Sequence, residues 1–258
     1  MPYAELHTLT CYSFLRGASH PQELVERAAE LGYRAIAITD ECSLAGVVKA
    51  HIAARQAGIQ LIIGSELNLV EGLQLVALAP SRAAYSELSG LISLARRRSP
   101  KGEYRVALRD VIFHLKRCLI IWKPTGAAVD DTGSNPSTAE LGYGQQLARL
   151  CRGRVWLGVT HVLGNDEIAR YGRLHALAHT LNLPMVACGA VRMHVASRKP
   201  LHDVFTALYH NTSVAQLGRR RLANSQQHLR RLQQLAKLYP PALLAATLDI
   251  AGRCQFSL

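Results

Sequence analysis

Short apolar runs alternate with longer stretches of helical period from the N-terminus to about residue 210, and this β-then-α rhythm restricts the fold more than any other feature. Residues 4–10 read as a first strand. Ser19 then stands as an N-cap before a helix carrying Leu24, Ala28 and Leu31, which stops at Gly32. The run "AIAIT", residues 35–39, has the continuous apolar character of a strand buried on both faces. Ser43 opens a second helix through Val47, Ala50 and Ala54 that ends at Gly58. "QLIIGSE" and "LQLVALA" supply strands, and a helix follows from about Ser81 to Arg97. "CLIIW" at 118–122, "RVWLGVTHV" and "PMVACGAV" are further strands, with a helix from about Asp166 to Leu181 between the last two. Residues 123–144, rich in Gly, Pro, Ser, Thr and Asp, have no periodicity until Ala139 and read as a loop.

About seven βα units result, a number that suits a closed barrel better than an open sheet. If the strands are parallel and closed, their C-terminal ends meet at one mouth, where barrel enzymes carry their chemistry. The residues at those ends are His7 and Leu9, Asp40 and Glu41, Glu66, Trp122, His161, and Ala190 with Arg192.

Composition bounds the rest. With 258 residues, 49% hydrophobic and 19% charged, the chain can bury a sizeable core as one domain and is not intrinsically disordered. It has no run of 18 uncharged apolar residues and no secretory layout at "MPYAELHT", so the expectation is a cytoplasmic protein without a membrane partner. Six scattered cysteines without a C-x-x-C pair read as reduced, buried thiols. A formal charge of +12 attracts polyanions, nucleic acid first among them, although an arginine-rich surface alone gives the same total.

In order and spacing, "ELHTLTCYSFLRGAS", "YRAIAITDECSLAGVVKAHIAARQAGIQLIIGSE", "VWLGV" and "LPMVACGAVRMHVASRKPLHDVFTAL" resemble the N-terminal polymerase and histidinol phosphatase (PHP) domain of C-family DNA polymerases. The resemblance is strongest to the error-prone branch of the bacterial DNA polymerase III alpha subunit family. It implies an α/β fold, a distorted seven-stranded (β/α)7 TIM-like barrel with its cleft at the strand C-termini. It also implies that residues 1–258 form a single PHP domain, with 211–258 a helical extension leading to a polymerase core that lies beyond "RCQFSL". The implied partners are the remainder of that polymerase, DNA through it, and other damage-tolerance proteins.

Active members of the family hold two or three divalent metals and use metal-bound water against a phosphodiester, which demands many imidazole and carboxylate ligands. His7 matches the first histidine of the family's H-x-H motif, but Leu9 replaces the second. Asp40 matches the aspartate of T-D-H while Glu41 stands where its histidine belongs, and Glu66 matches the glutamate of G-x-E. "GAVR" occupies the place of G-D-V-H, so Ala190 and Arg192 replace an aspartate and a histidine. A guanidinium has no lone pair to give. Arg192 is therefore expected to pair with Glu66, Glu41 or Asp40, leaving a vestigial site with no catalytic residue and no cofactor, or at most one Zn²⁺ or Mn²⁺ on His7, Asp40 and Glu66. His161 and His194 are the two histidines near enough in sequence to supply a missing ligand.

Two basic stretches are candidates for nucleic-acid contact: Arg96, Arg97 and Arg98 in the first, and Arg219, Arg220, Arg221, Arg230 and Arg231 on a largely helical stretch over 218–240. Neither interleaves aromatics as single-strand grooves do. No phosphate loop, nucleophile elbow or dinucleotide turn is present. The functional expectation is a silent PHP domain of an error-prone DNA polymerase. The alternatives are a metal-dependent phosphoesterase or 3′–5′ exonuclease, and a stand-alone basic nucleic-acid-binding module.

Overall fold

The computed structural model describes residues 2–124, 138–164 and 166–258. Seven strands form one sheet in sequence order: β1 (Ala4–Glu5), β2 (Ala35–Ile38), β3 (Gln60–Asn68), β4 (Gln74–Leu78), β5 (Leu119–Lys123), β6 (Val155–Val159) and β7 (Met185–Ala187). The ring is completed beyond the ladder. Thr8 bridges Val191 in parallel, with the Leu9 amide donating to the Val191 carbonyl at 2.8 Å and the Val191 amide to the His7 carbonyl at 2.9 Å. The expected first strand over 4–10 is thus two residues of ladder and a separate closing bridge.

One strand departs from the parallel scheme. β4 pairs antiparallel with both β3 and β5, and only the remaining pairs are parallel. Five residues, 69–73, separate β3 from β4, too few for a crossover, so the chain turns back as a hairpin. The barrel is distorted for this reason, and β4 brings its first residue, Gln74, to the mouth.

Alternation along the strands separates two cores. Ala4, Leu6, Ala35, Ala37, Ile62, Val76, Leu78, Leu119, Ile121, Val186 and Cys188 form an inner cluster. Tyr3, Ile36, Ile38, Leu67, Leu75, Ile120, Trp122, Leu157 and Ala187 pack outward under the helices. The helices are α1 (Pro21–Glu30), α2 (Val47–Ala57), α3 (Arg82–Arg97), α4 (Leu108–His114), α5 (Thr138–Leu150), α6 (Glu167–Leu181), α7 (Lys199–Tyr209), α8 (Leu232–Leu238) and α9 (Pro241–Arg253). α3 shows the rule: Ala84, Leu88, Leu91 and Ala95 share one buried face, and Ser81 caps its start by accepting from the Ala84 amide at 3.3 Å.

Two expected caps are reassigned. His20, not Ser19, precedes α1, because Pro21 takes the first helical position; α2 begins after Gly46, so Ser43 serves a preceding turn through the Ala45 amide. The expected loop over 123–144 is shorter than its composition suggests: Lys123 belongs to β5 and α5 starts at Thr138, while 125–137 lie outside the described residues. The stretch 218–240 is helical only in the short turn at Gly218–Arg220 and in α8.

α9 closes the end of the barrel where the strands begin. Ile250, Ala251 and Cys254 join the inner cluster, and Arg253 lies 5.0 Å over the Trp156 ring. Gln60 at the start of β3 donates to the Ala251 and Cys254 carbonyls at 3.0 and 2.6 Å, satisfying groups that a helix C-terminus leaves orphaned. No helix among the described residues is long and apolar enough to cross a membrane.

Candidate active site at the barrel mouth

The inward face of each strand decides what reaches the mouth. On β3, Ile62, Gly64 and Glu66 alternate inward, so Glu66 stands above the inner core and is 1% exposed. On β5 the same parity runs Leu119, Ile121 and Lys123. The mouth therefore receives Lys123, whereas Trp122, expected there, is fully buried in the outer layer. One residue of register separates an indole from an ammonium.

Glu66 is the hub. One oxygen accepts from His7 Nε2 at 2.7 Å; the other accepts from an Arg16 guanidinium nitrogen at 2.8 Å and from Asn68 Nδ2 at 3.1 Å. Arg16 also bonds Glu41, whose second oxygen accepts from Asn68 Nδ2 at 2.7 Å and from the Tyr104 hydroxyl at 2.8 Å. Lys123 Nζ lies 2.8 Å from His7 Nδ1. An ammonium only donates, so Nδ1 must be the accepting nitrogen and Nε2 must carry the hydrogen that goes to Glu66. His7 is then neutral, with neither ring nitrogen free.

The electrostatics agree. Burial, and after it the Lys123 charge, brings the His7 imidazole down to about 4. Burial also draws the Lys123 amine down to about 8 against the pull of Glu66. Burial alone would raise Glu66, but the His7 hydrogen bond and the Arg16 and Lys123 charges hold it well below the usual carboxylate range. Burial would likewise lower Arg16, and the Glu66 and Glu41 carboxylates reverse it upward. In ¹H–¹⁵N spectra, the His7 ring is therefore expected to keep its neutral Nε2–H form from pH 7 down to pH 5, where a free histidine is mostly protonated. Observation of a protonated ring at pH 6 would remove this arrangement.

Asp40 performs a different task from the expected one. Its carboxylate accepts from the Thr10 amide and hydroxyl, both at 2.8 Å, and from the Ser13 hydroxyl at 2.6 Å. These bonds fold the 10–17 loop back over the mouth and thereby deliver Arg16. Gly17 completes the fold: a Cβ there would lie 2.1 Å from the Thr10 carbonyl oxygen.

Arg192 does not pair with Glu66, Glu41 or Asp40. Arg16 has taken the first two, Thr10 and Ser13 the third. The Arg192 backbone is what the barrel uses, its carbonyl accepting from Ala18 and its amide donating to Gln227. Neither outlying histidine reaches the mouth. His161 bonds Glu167 at 2.9 Å and packs on Tyr239 and Tyr171; His194 Nδ1 lies 2.7 Å from Ser19 Oγ. Leu9 is buried beside the closing bridge, and Ala190 next to it takes a left-handed backbone at φ 49°. The sequence reading missed Glu5, a buried carboxylate that accepts from the His7 and Gly189 amides and the Tyr3 hydroxyl. It also missed Arg16, Asn68, Tyr104 and Lys123. Only Lys123 carried a usable signal, the strand parity.

The retained residues do not fit a divalent metal. His7 has no free nitrogen, Asp40 is spent on the loop, and Glu66 accepts from three N–H donors, on His7, Arg16 and Asn68. Among the described residues no three His, Cys, Asp or Glu side chains are grouped so as to hold one.

The basic stretches divide by burial. Arg96 spends its guanidinium on the Cys42, Glu41, Gly102 and Glu103 carbonyls and stacks on Tyr104. Arg230, 5% exposed, bonds the Gln226 and His161 carbonyls. Both are therefore withdrawn from the nucleic-acid candidates. Arg98 pairs with Asp110 at 2.9 Å, while Arg97, Arg219, Arg220, Arg221 and Arg231 are exposed.

Residues 5–122 match the family model of the PHP domain. This chain contains a PHP domain. Over its whole length the chain is 50% identical to the error-prone DNA polymerase of Teredinibacter turnerae and 48% identical to that of Saccharophagus degradans. Over 99% of its length it is 46% identical to that of Pseudomonas aeruginosa. The match is to the N-terminal region of these polymerases, and the chain spans 24% of each. Two solved structures share the fold. An amidohydrolase from Chromobacterium violaceum superposes with a TM-score of 0.54 at 14% identity, over 74% of this chain and 88% of the other. A proposed metal-dependent phosphoesterase from Bifidobacterium adolescentis gives 0.52 at 18% identity, over 72% and 86%.

Proposed function

We propose that this PHP domain is the N-terminal barrel of an error-prone DNA polymerase and that its mouth has exchanged hydrolysis for a structural and docking role. The observation that carries the reading is the Arg16 guanidinium seated between Glu41 and Glu66, with Lys123 on His7. Two fixed cations stand among the side chains that the family uses for metals, and they neutralise the carboxylates without exchanging with solvent ions. The parent protein's activity is template-directed DNA synthesis in damage tolerance, in the cytoplasm. The remainder of the polymerase is the partner of this barrel. DNA is reached through the parent, with Arg97, Arg219, Arg221 and Arg231 available for phosphate contact.

Incubated with Mn²⁺ or Zn²⁺ and either bis(p-nitrophenyl) phosphate or a single-stranded 3′ end, the chain is expected to show no hydrolysis above the protein-free reaction. Turnover that disappears in Glu66→Gln would establish the phosphoesterase or exonuclease reading instead.

A further inference from the structure

Away from the mouth, a groove of about 960 Å³ lies between α4, α5 and the 69–73 turn of the β3–β4 hairpin. It exists because α4 is only seven residues long and packs on α3, whereas α5 packs on α6, so neither helix covers the flank of the other. Large apolar side chains from all three elements line it in the open: Val70 is 54% exposed, Phe113 69% and Leu150 44%. The more buried Leu108 and Ile112 line it as well. A single exposed apolar residue is ordinary, but three from separate elements around one concave surface mark an interaction site.

The charges of this lining do not balance. Both acids are already used within the chain: Glu71 accepts from the Leu108 amide at 3.0 and 3.1 Å, and Asp110 accepts from the Ala107 amide at 3.0 Å and from Arg98 at 2.9 Å. Arg105, Arg109 and Lys116 line the same groove, are exposed, and have no ion pair among the described residues. Arg109 lies in the field of Asp110 without bonding to it, and Lys116 stands 5.5 Å over the Phe113 ring. Four cations thus face two acids, and three of the four have no acceptor.

We propose that this groove docks an acidic peptide segment of a partner protein, with apolar side chains seated among Val70, Phe113 and Leu150 and flanking carboxylates on Arg105, Arg109 and Lys116. Charge complementarity selects the occupant, because carboxylates supply the acceptors that the three cations lack, whereas a basic segment meets repulsion. Single-stranded nucleic acid matches the charge but not the surface. Val70, Leu108, Ile112 and Leu150 offer no ring to stack on; of the two rings in the lining, Tyr143 is half-buried and Phe113 has Lys116 over it. The volume lies near the upper end of the range for ligand sites and takes several side chains, more than a small anion fills.

The test is selection of a random peptide library displayed on phage against the immobilised 258-residue chain, followed by fluorescence anisotropy of the selected peptides. The selected sequences are expected to carry Asp or Glu around Leu, Phe or Trp. Phe113→Ala is expected to weaken their binding by about tenfold or more, as loss of a central anchor does. Arg109→Glu combined with Lys116→Glu is expected to weaken it at least as far and to abolish the fall in affinity that the wild type shows as salt is added. Arg97→Glu, outside the groove, leaves binding unchanged. The substituted groove residues are exposed, so an unchanged Tm accompanies each variant. Selection of no peptide, of peptides without acidic residues, or of peptides whose binding survives both groove variants overturns the proposal. A single-stranded oligonucleotide that binds where the peptides do not, and is lost in the charge reversal, overturns it in favour of nucleic acid. No side chain of the mouth network lines the groove, so failure here is distinct from a failure of the metal-free reading of the mouth.

Discussion

Replacement of Arg16 by alanine is expected to destabilise the barrel by about 3–5 kcal/mol in urea unfolding at pH 7, the cost of stripping a buried ion cluster of one sign. Glu41 and Glu66 share this guanidinium, and Glu66 is almost completely buried. Without Arg16 the two carboxylates repel across the mouth, where Glu66 keeps the donors on His7 and Asn68 and Glu41 those on Asn68 and Tyr104, but no guanidinium offsets their charge. The charge can be separated from the packing. Arg16→Met combined with Glu41→Gln and Glu66→Gln removes all three charges and is expected to recover most of the loss. Arg16→Lys should recover less, because an ammonium cannot serve two carboxylates with a planar fork. A cost below about 1 kcal/mol for Arg16→Ala, the range of exposed ion pairs, would show that this cluster is not what holds the mouth together.

Removal of α9, by ending the chain at Pro240, is expected to abolish cooperative unfolding. Leu243, Leu244 and Ile250 are buried, and each contributes about 1.5–3 kcal/mol by leaving water. Their sum, about 5–9 kcal/mol, is comparable with the whole stability of an ordinary domain. The deletion also opens the lower end of the inner core and frees Gln60. Ile250→Ala is the milder form, with an expected loss of about 2–5 kcal/mol. A truncated chain that still melts cooperatively at an unchanged temperature would show that α9 is an appendage.

The fold was legible because strand and helix periods survive in a single chain: "AIAIT", "QLIIGSE" and "CLIIW" are strands, and Gly58 ends α2 with a left-handed backbone at φ 66°. The reversed β4 was also within reach, since five residues after Asn68 cannot carry a parallel crossover. The ligand positions were legible as positions but not as roles. His7, Glu41 and Glu66 do meet at one mouth, whereas Asp40 turned from it to hold the 10–17 loop. The cation that neutralises them was expected on the last strand and comes from that loop. No periodicity describes a loop, and Arg16 reaches the mouth only because Asp40, Thr10 and Ser13 fold the chain back across it. Strand parity separates Lys123 from Trp122, and a boundary set one residue short hid it. His161 and His194 illustrate the usual fate of a lone histidine, bonded to the nearest acid or hydroxyl.

The central claim is that fixed cations, Arg16 and Lys123, hold the groups a metal would need. Its most direct test is the metal content of the chain purified without chelators and then equilibrated with Zn²⁺ and with Mn²⁺, measured for the wild type and for Glu66→Ala. The account predicts substoichiometric metal in both proteins and no difference between them. One or more tightly held ions per chain that depart with the Glu66 carboxylate would contradict it.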